Sequence, residues 1–160
     1  MSTQTKPALP ESITLAVVNK WLDRSDEKHP QIRFILKISN GGQSMQCDYS
    51  GGILAFKNNR NLNIYASRPV KTVADKETWE SAIQQLFQSA KPDLHGVLRS
   101  LIMDAQAGEQ SFMDFCGECG YDEDSRKAYS TWEACQKIGS DVRRVLGPLF
   151  SEVNEALRDY

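Results

Sequence analysis

The sequence predicts an α+β fold, a small antiparallel sheet packed on a predominantly helical C-terminal half. Three observations carry this. Ile32, Phe34, Leu36 and Ile38 recur at every second residue, with Arg33 and Lys37 between them, the alternation of a half-buried strand. Asn40, Gly41 and Gly42 follow, and then Met45, Cys47 and Tyr49 alternate again, so that a tight turn joins two antiparallel strands over about residues 31–49. From residue 72 onward the apolar spacing changes from two to between three and four, the period of an amphipathic helix.

In chain order, residues 1–11 are polar with two prolines and read as a flexible arm. The remaining residues, 12–160, read as one α+β domain, with the sheet within about 31–66 and the helices within about 72–160. Residues 12–24 are expected to form a helix, capped by Ser12 and carrying Ile13, Ala16, Val17 and Trp21 on one face. Their β-branched content leaves a strand open. Pro30 then interrupts the chain. Residues 53–66 offer a further strand pair around a KNNRN turn.

Trp79, Ile83, Leu86 and Phe87 form the apolar stripe of a helix over 75–89. Pro92 is placed in the first turn of the next helix, which continues through Leu94, Val97, Leu98, Leu101 and Ile102 and is expected to stop at Gly108. A last helix, after a break at Gly147 and Pro148, carries Leu149, Phe150, Val153 and Leu157.

Residues 111–136 are the most densely written stretch. Ser111 is a helix N-cap, with Asp114 three residues on in a weak capping box. Phe112, Phe115, Cys116 and Cys119 then share one face, and Gly120 stands where a left-handed stop is needed. Asp122, Glu123 and Asp124 precede a second helix, where carboxylates complement the helix dipole, and Ser125 or Asp124 would cap it. Ala128, Tyr129, Trp132 and Cys135 would line the buried side of that helix.

Three kinds of chemistry compete with simple packing in this stretch. Cys116 and Cys119 are a C-x-x-C pair that, with Cys47 and Cys135, could hold zinc or work as a redox couple. No second such pair and no spaced histidine pair accompanies it, and packed thiols are the favoured reading. Asp122, Asp124 and Glu133 occupy positions 1, 3 and 12 of a calcium loop, but Arg126 and Lys127 stand where a ligand and a glycine are required, which excludes calcium. The run of six carboxylates and no cation over residues 109–124 is either a hydrated surface or a mimic of a phosphate backbone.

Charge is unevenly spread. Residues 1–108 carry a net +3 and residues 109–160 a net −5, giving −2 for the 160 residues. That balance argues against a general nucleic-acid binder. No apolar run approaches the ~18 residues of a membrane span, and residues 1–12 lack the apolar core of a signal peptide. With four cysteines in 160 residues, the expectation is a cytoplasmic protein with free thiols. His29 and His95 have no nucleophile or carboxylate that spacing ties to them, and no Walker A, G-x-G-x-x-G, H-E-x-x-H or G-x-S-x-G motif is present. The reading is therefore non-enzymatic, without cofactor or metal.

The pattern S-F-x-D-F-C…G-Y-D-x-D-S-R-K-A…C-Q in residues 111–136 resembles a family of small proteins encoded in early regions of bacteriophages and prophages. The hairpin ending in Tyr49, Ser50, Gly51 and Gly52 and the run VLRSLIMDA also resemble that family, while residues 1–30 and roughly 53–90 read as additions to it. The family has an aromatic or other apolar residue where Cys119 stands, which disfavours a metal at the C-x-x-C pair.

What the resemblance implies is a phage protein acting in the bacterial cytoplasm. The expected function is inhibition of a host defence complex, a CRISPR effector above all (an anti-CRISPR), through an acidic surface made of Tyr121, Asp122, Glu123, Asp124 and Arg126. The partner would be a host protein or ribonucleoprotein. The alternative is an accessory factor for phage DNA replication or recombination, with Arg33, Lys37, Lys57 and Arg60 on phosphates.

Overall fold

The computed structural model describes residues 6–25, 30–52 and 73–160. Strands β1 (Ile13–Asp23), β2 (Gln31–Asn40) and β3 (Gln43–Gly52) form an antiparallel sheet in the order β1-β2-β3. Helices α1 (Val73–Ser89), α2 (Leu94–Glu109), α3 (Phe112–Cys119) and α4 (Arg126–Leu146) follow, then a 3-10 turn (Gly147–Leu149) and α5 (Phe150–Ala156). The architecture is α+β, with the helices in the C-terminal half.

The β2–β3 hairpin forms where the alternation placed it. Ile32, Phe34, Leu36 and Ile38 are buried while Arg33 and Lys37 are exposed. Its two-residue turn is Gly41-Gly42, with φ +60° at Gly41, the left-handed first position that glycine supplies without a Cβ penalty in a type II′ turn. A two-stranded hairpin is marginal by itself; β1 provides the third strand.

That strand overturns the helix expected for residues 12–24. Ile13, Thr14, Val17 and Val18 are β-branched and favour extended backbone, and pairing with β2 satisfies the peptide groups along one edge of the strand. A period of two is not visible because the less exposed positions are Ile13 and Leu15 at the start of β1 but Lys20 and Leu22 near its end. The parity changes within the strand, and Val17, Val18 and Trp21 are left exposed. The strand pair expected within residues 53–66 lies outside the described residues.

The chain divides into two compact units. One comprises Ala16–Lys37 and Gln46–Pro92. In it, Ile32, Phe34 and Leu36 of β2 and Ala82, Ile83 and Leu86 of α1 are buried. Lys20 packs its ammonium 4.8 Å from the Phe87 ring centre and donates to the Ala90 carbonyl at 3.0 Å. Burial lowers the Lys20 pKa below its ordinary value, with a smaller contribution from Lys91. Arg24 makes a two-pronged bond to Glu80 at 2.5 and 2.6 Å, a fork geometry that a lysine cannot reproduce.

The other unit comprises Met1–Leu15, Ile38–Met45 and Asp93–Tyr160. Its centre is the pairing of α2 with α4. Gly108 stands one residue before the end of α2, close to the stop that the sequence suggested, and is buried there. A Cβ there would fall 2.6 Å from the Gln136 amide nitrogen and 2.7 Å from the Cys135 carbonyl carbon, so glycine lets two helix backbones meet. Gly139 meets the Ala105 Cα in the same way, at 3.2 Å from an added Cβ. Pro92, expected in the first turn of α2, precedes its cap Asp93, whose carboxylate accepts from the His95 amide. The hairpin turn is tied to α4: Asn40 Nδ2 donates to the Val145 carbonyl at 2.8 Å, and Arg144 donates to Gln43 and to the Ser44 carbonyl.

Candidate functional site

The α3–α4 region is built by two caps and a glycine. Ser111 Oγ accepts from the Asp114 amide at 3.2 Å and starts α3. Gly120 at φ +74° closes it, with the Gly120 and Tyr121 amides both donating to the Cys116 carbonyl. Ser125, rather than Asp124, caps α4, its Oγ accepting from the Ala128 amide at 3.2 Å. Between them the turn is held locally: Asp122 Oδ1 accepts from the Asp124 amide at 3.1 Å, and the Asp122 carbonyl accepts from the Ser125 amide at 3.0 Å. The two serine bonds each satisfy an amide that a helix start leaves open, and the Gly120 and Tyr121 amides satisfy a carbonyl at the end of α3.

Beneath the turn, Phe115, Cys116, Ala128 and Cys135 are buried together, with Ala107, Phe112, Tyr121 and Trp132 packed around them. Trp132 Nε1 donates to the Gln110 carbonyl at 3.0 Å, which pins the link between α2 and α3. Tyr121 is half-buried, its ring stacked on Phe115 at 5.9 Å between centres. Asp122, Glu123, Asp124 and Arg126 are exposed. Among the described residues, none of these four has an ion-pair partner. Other charges of this unit do pair: Lys6 with Asp93, Arg143 with Glu109, Arg144 with Asp141 and Arg158 with Glu155.

Two residues expected on buried faces are exposed instead. Cys119 faces solvent, because α3 ends there and only its Phe115–Cys116 side meets α4. Tyr129 is 48% exposed. It leans edge-on against Phe112, 5.3 Å between centres at 74°, and sits 5.7 Å from Trp132. Phe112, Tyr129 and Ser130 form part of an open groove of about 400 Å³ whose rim carries Glu123, Asp124 and Arg126. Sequence reasoning missed this groove. Helical spacing put Tyr129 with Trp132 and Cys135, but the buried stripe of α4 runs through Ala128, Cys135 and Val142, and Tyr129 lies about 100° round the helix from it.

Three of the four thiols, Cys47, Cys116 and Cys135, are held toward the protonated form. Burial raises the Cys116 pKa, reinforced by the Glu123 and Asp122 carboxylates. Burial likewise raises Cys135, with a further push from Asp104, and drives Cys47 up to about 11. All four cysteines are free. A reactive cysteine shows the opposite shift, toward thiolate. Among the described residues no three His, Cys, Asp or Glu side chains gather into a metal-ligating cluster.

Of the basic residues named for nucleic acid, Arg33 and Lys37 lie on β2. Arg33 Nε donates to Asp23 Oδ2 at 2.5 Å, so its charge is matched within the sheet. This contact, behind two bonds from Ser25, holds the Asp23 carboxyl down at about 2. Lys37 is exposed on β2, whereas Lys57 and Arg60 lie outside the described residues, as does His29. His95 has its Nε2 within 2.6 Å of the Pro7 carbonyl, its ring 5.4 Å from Tyr160 and, where spacing tied no carboxylate to it, its Nδ1 3.7 Å from Asp93 Oδ1. Among the described residues no helix is long and apolar enough to cross a membrane. Neither a protein-family model, nor a curated protein, nor a solved structure matches the chain.

Proposed function

We propose that this chain is a non-enzymatic binding protein that uses the turn of residues 121–126 to dock on a Lys/Arg-rich surface of a host protein or ribonucleoprotein. On the resemblance to phage early-region proteins, its role is to inhibit a host defence complex in the bacterial cytoplasm, a CRISPR effector first among them. The observation that carries the reading is the exposure of Asp122, Glu123 and Asp124 without a cation partner among the described residues, on a turn made rigid by two helix caps. A turn whose backbone is capped at both ends loses little backbone freedom on binding, and complementary charge steers association with a basic partner.

The test uses the triple variant Asp122→Asn, Glu123→Gln, Asp124→Asn, which keeps the local hydrogen-bond acceptors while removing three charges. The wild-type protein should co-elute with a CRISPR effector ribonucleoprotein and protect phage in a plaque assay. The variant should keep its circular dichroism spectrum and lose both. Absence of co-elution and of protection for the wild type would overturn the reading.

A further inference from the structure

Charge alone does not describe the groove between α3 and the start of α4. Its lining joins an aromatic wall, Phe112 and Tyr129, to the carboxylates of Glu123 and Asp124. The Tyr129 ring is half exposed and is fixed edge-on by Phe112 and at 52° by Trp132. Arg126 stands on the same rim and offsets one of the two negative charges. A compact, strongly hydrated ammonium gains little from so small a net charge. A guanidinium is planar and weakly hydrated, stacks on an aromatic face and bonds a carboxylate with two parallel N–H groups.

We infer that the groove is an arginine-selective docking site, in which an arginine side chain of a partner protein lies on Tyr129 and is held by Glu123 and Asp124. This rests on the acidic-turn reading above and narrows it from a basic surface to one residue type. The aromatic wall supplies what an acidic patch lacks, a means of telling arginine from lysine at equal charge. The volume of about 400 Å³ accommodates one such side chain with its flanking backbone. Arg126 is then a competitor for the same carboxylates rather than a contact that helps.

The experiment titrates hexa-arginine and hexa-lysine peptides into the full chain and follows backbone amide shifts by NMR at low salt. Hexa-arginine should bind on the order of threefold more tightly than hexa-lysine, the scale of an exposed cation–π contact, with the largest shifts at Phe112, Tyr129 and Ser130. Tyr129→Leu should remove the preference while leaving the remaining binding, Tyr129→Phe should retain it, and Arg126→Gln should strengthen hexa-arginine binding.

Equal binding of the two peptides, unchanged by Tyr129→Leu, would overturn the arginine site and leave the acidic turn standing. No binding of either peptide at residues 111–130 would overturn both. Loss of hexa-arginine binding in the Asp122, Glu123, Asp124 triple variant together with an intact preference in Tyr129→Leu would also remove the aromatic wall from the proposal.

Discussion

Helix α4 meets α2 and α3 in different ways. Along residues 135–139 its backbone lies against α2 so closely that glycine is required at Gly108 and a small residue at Ala105. At its N-terminal end it meets α3 through side chains: Phe115, Cys116 and Ala128 are buried below, Tyr129 stays half exposed, and the linking turn carries carboxylates without ion-pair partners among the described residues. The first contact is backbone against backbone and leaves no room for change. The second is a packed patch under a capped turn, whose outer face is free to vary. The contrast separates what holds this unit together from what it can present to another molecule.

The strongest way to break the contrast is Gly108→Ala. The added methyl would meet peptide atoms of Cys135 and Gln136 at 2.6–2.8 Å, neither of which can swing aside. A loss of about 3 kcal/mol is expected, since forced overpacking outweighs the gain in helix propensity. Chemical denaturation would measure it. Gly139→Ala should cost much less, because its nearest neighbour is at 3.2 Å, and equal costs at the two sites would show that the approach is not centred on Gly108.

Ser125→Ala acts at the other contact. It removes the acceptor for the Ala128 amide and should cost about 1 kcal/mol. Amide exchange should quicken at residues 124–128 and stay unchanged at residues 135–139. A uniform rise along α4 would mean that the turn and the crossing are one cooperative element.

The mildest perturbation is labelling of native thiols with a small disulfide reagent at neutral pH. Cys119 is exposed and should react first, with Cys116 and Cys135 slow because burial closes access and holds both as thiols. Comparable rates at Cys116 and Cys119 would show that the α3–α4 core opens readily.

Much of this was legible in residues. The alternation of Ile32, Phe34, Leu36 and Ile38 and the Gly-Gly turn gave the hairpin, and Ser111, Gly120 and Ser125 gave the limits of α3 and the start of α4. These are local signals: a cap or a two-residue turn is decided by atoms within a few positions of it. The acidic turn of the candidate site was read in the same way, from consecutive residues. Its aromatic neighbour was not, because Tyr129 was placed with the buried face of α4, whereas that face runs through Ala128, Cys135 and Val142 and leaves Tyr129 to one side.

The sequence by itself therefore determined the element types wherever period and caps agreed, together with the placement of charge at residues 122–124. Tertiary structure decided the rest. Residues 13–23 became a strand because β2 was there to pair with them, a choice that their β-branched content had left open. Gly108, one residue before the end of α2, became a close contact as well as a stop, because α4 brings a backbone against it. Cys119, inward by period, stayed at the surface as the last residue of the eight-residue α3. In each case what pairs with the residue or covers it belongs to another element, which a local pattern does not name.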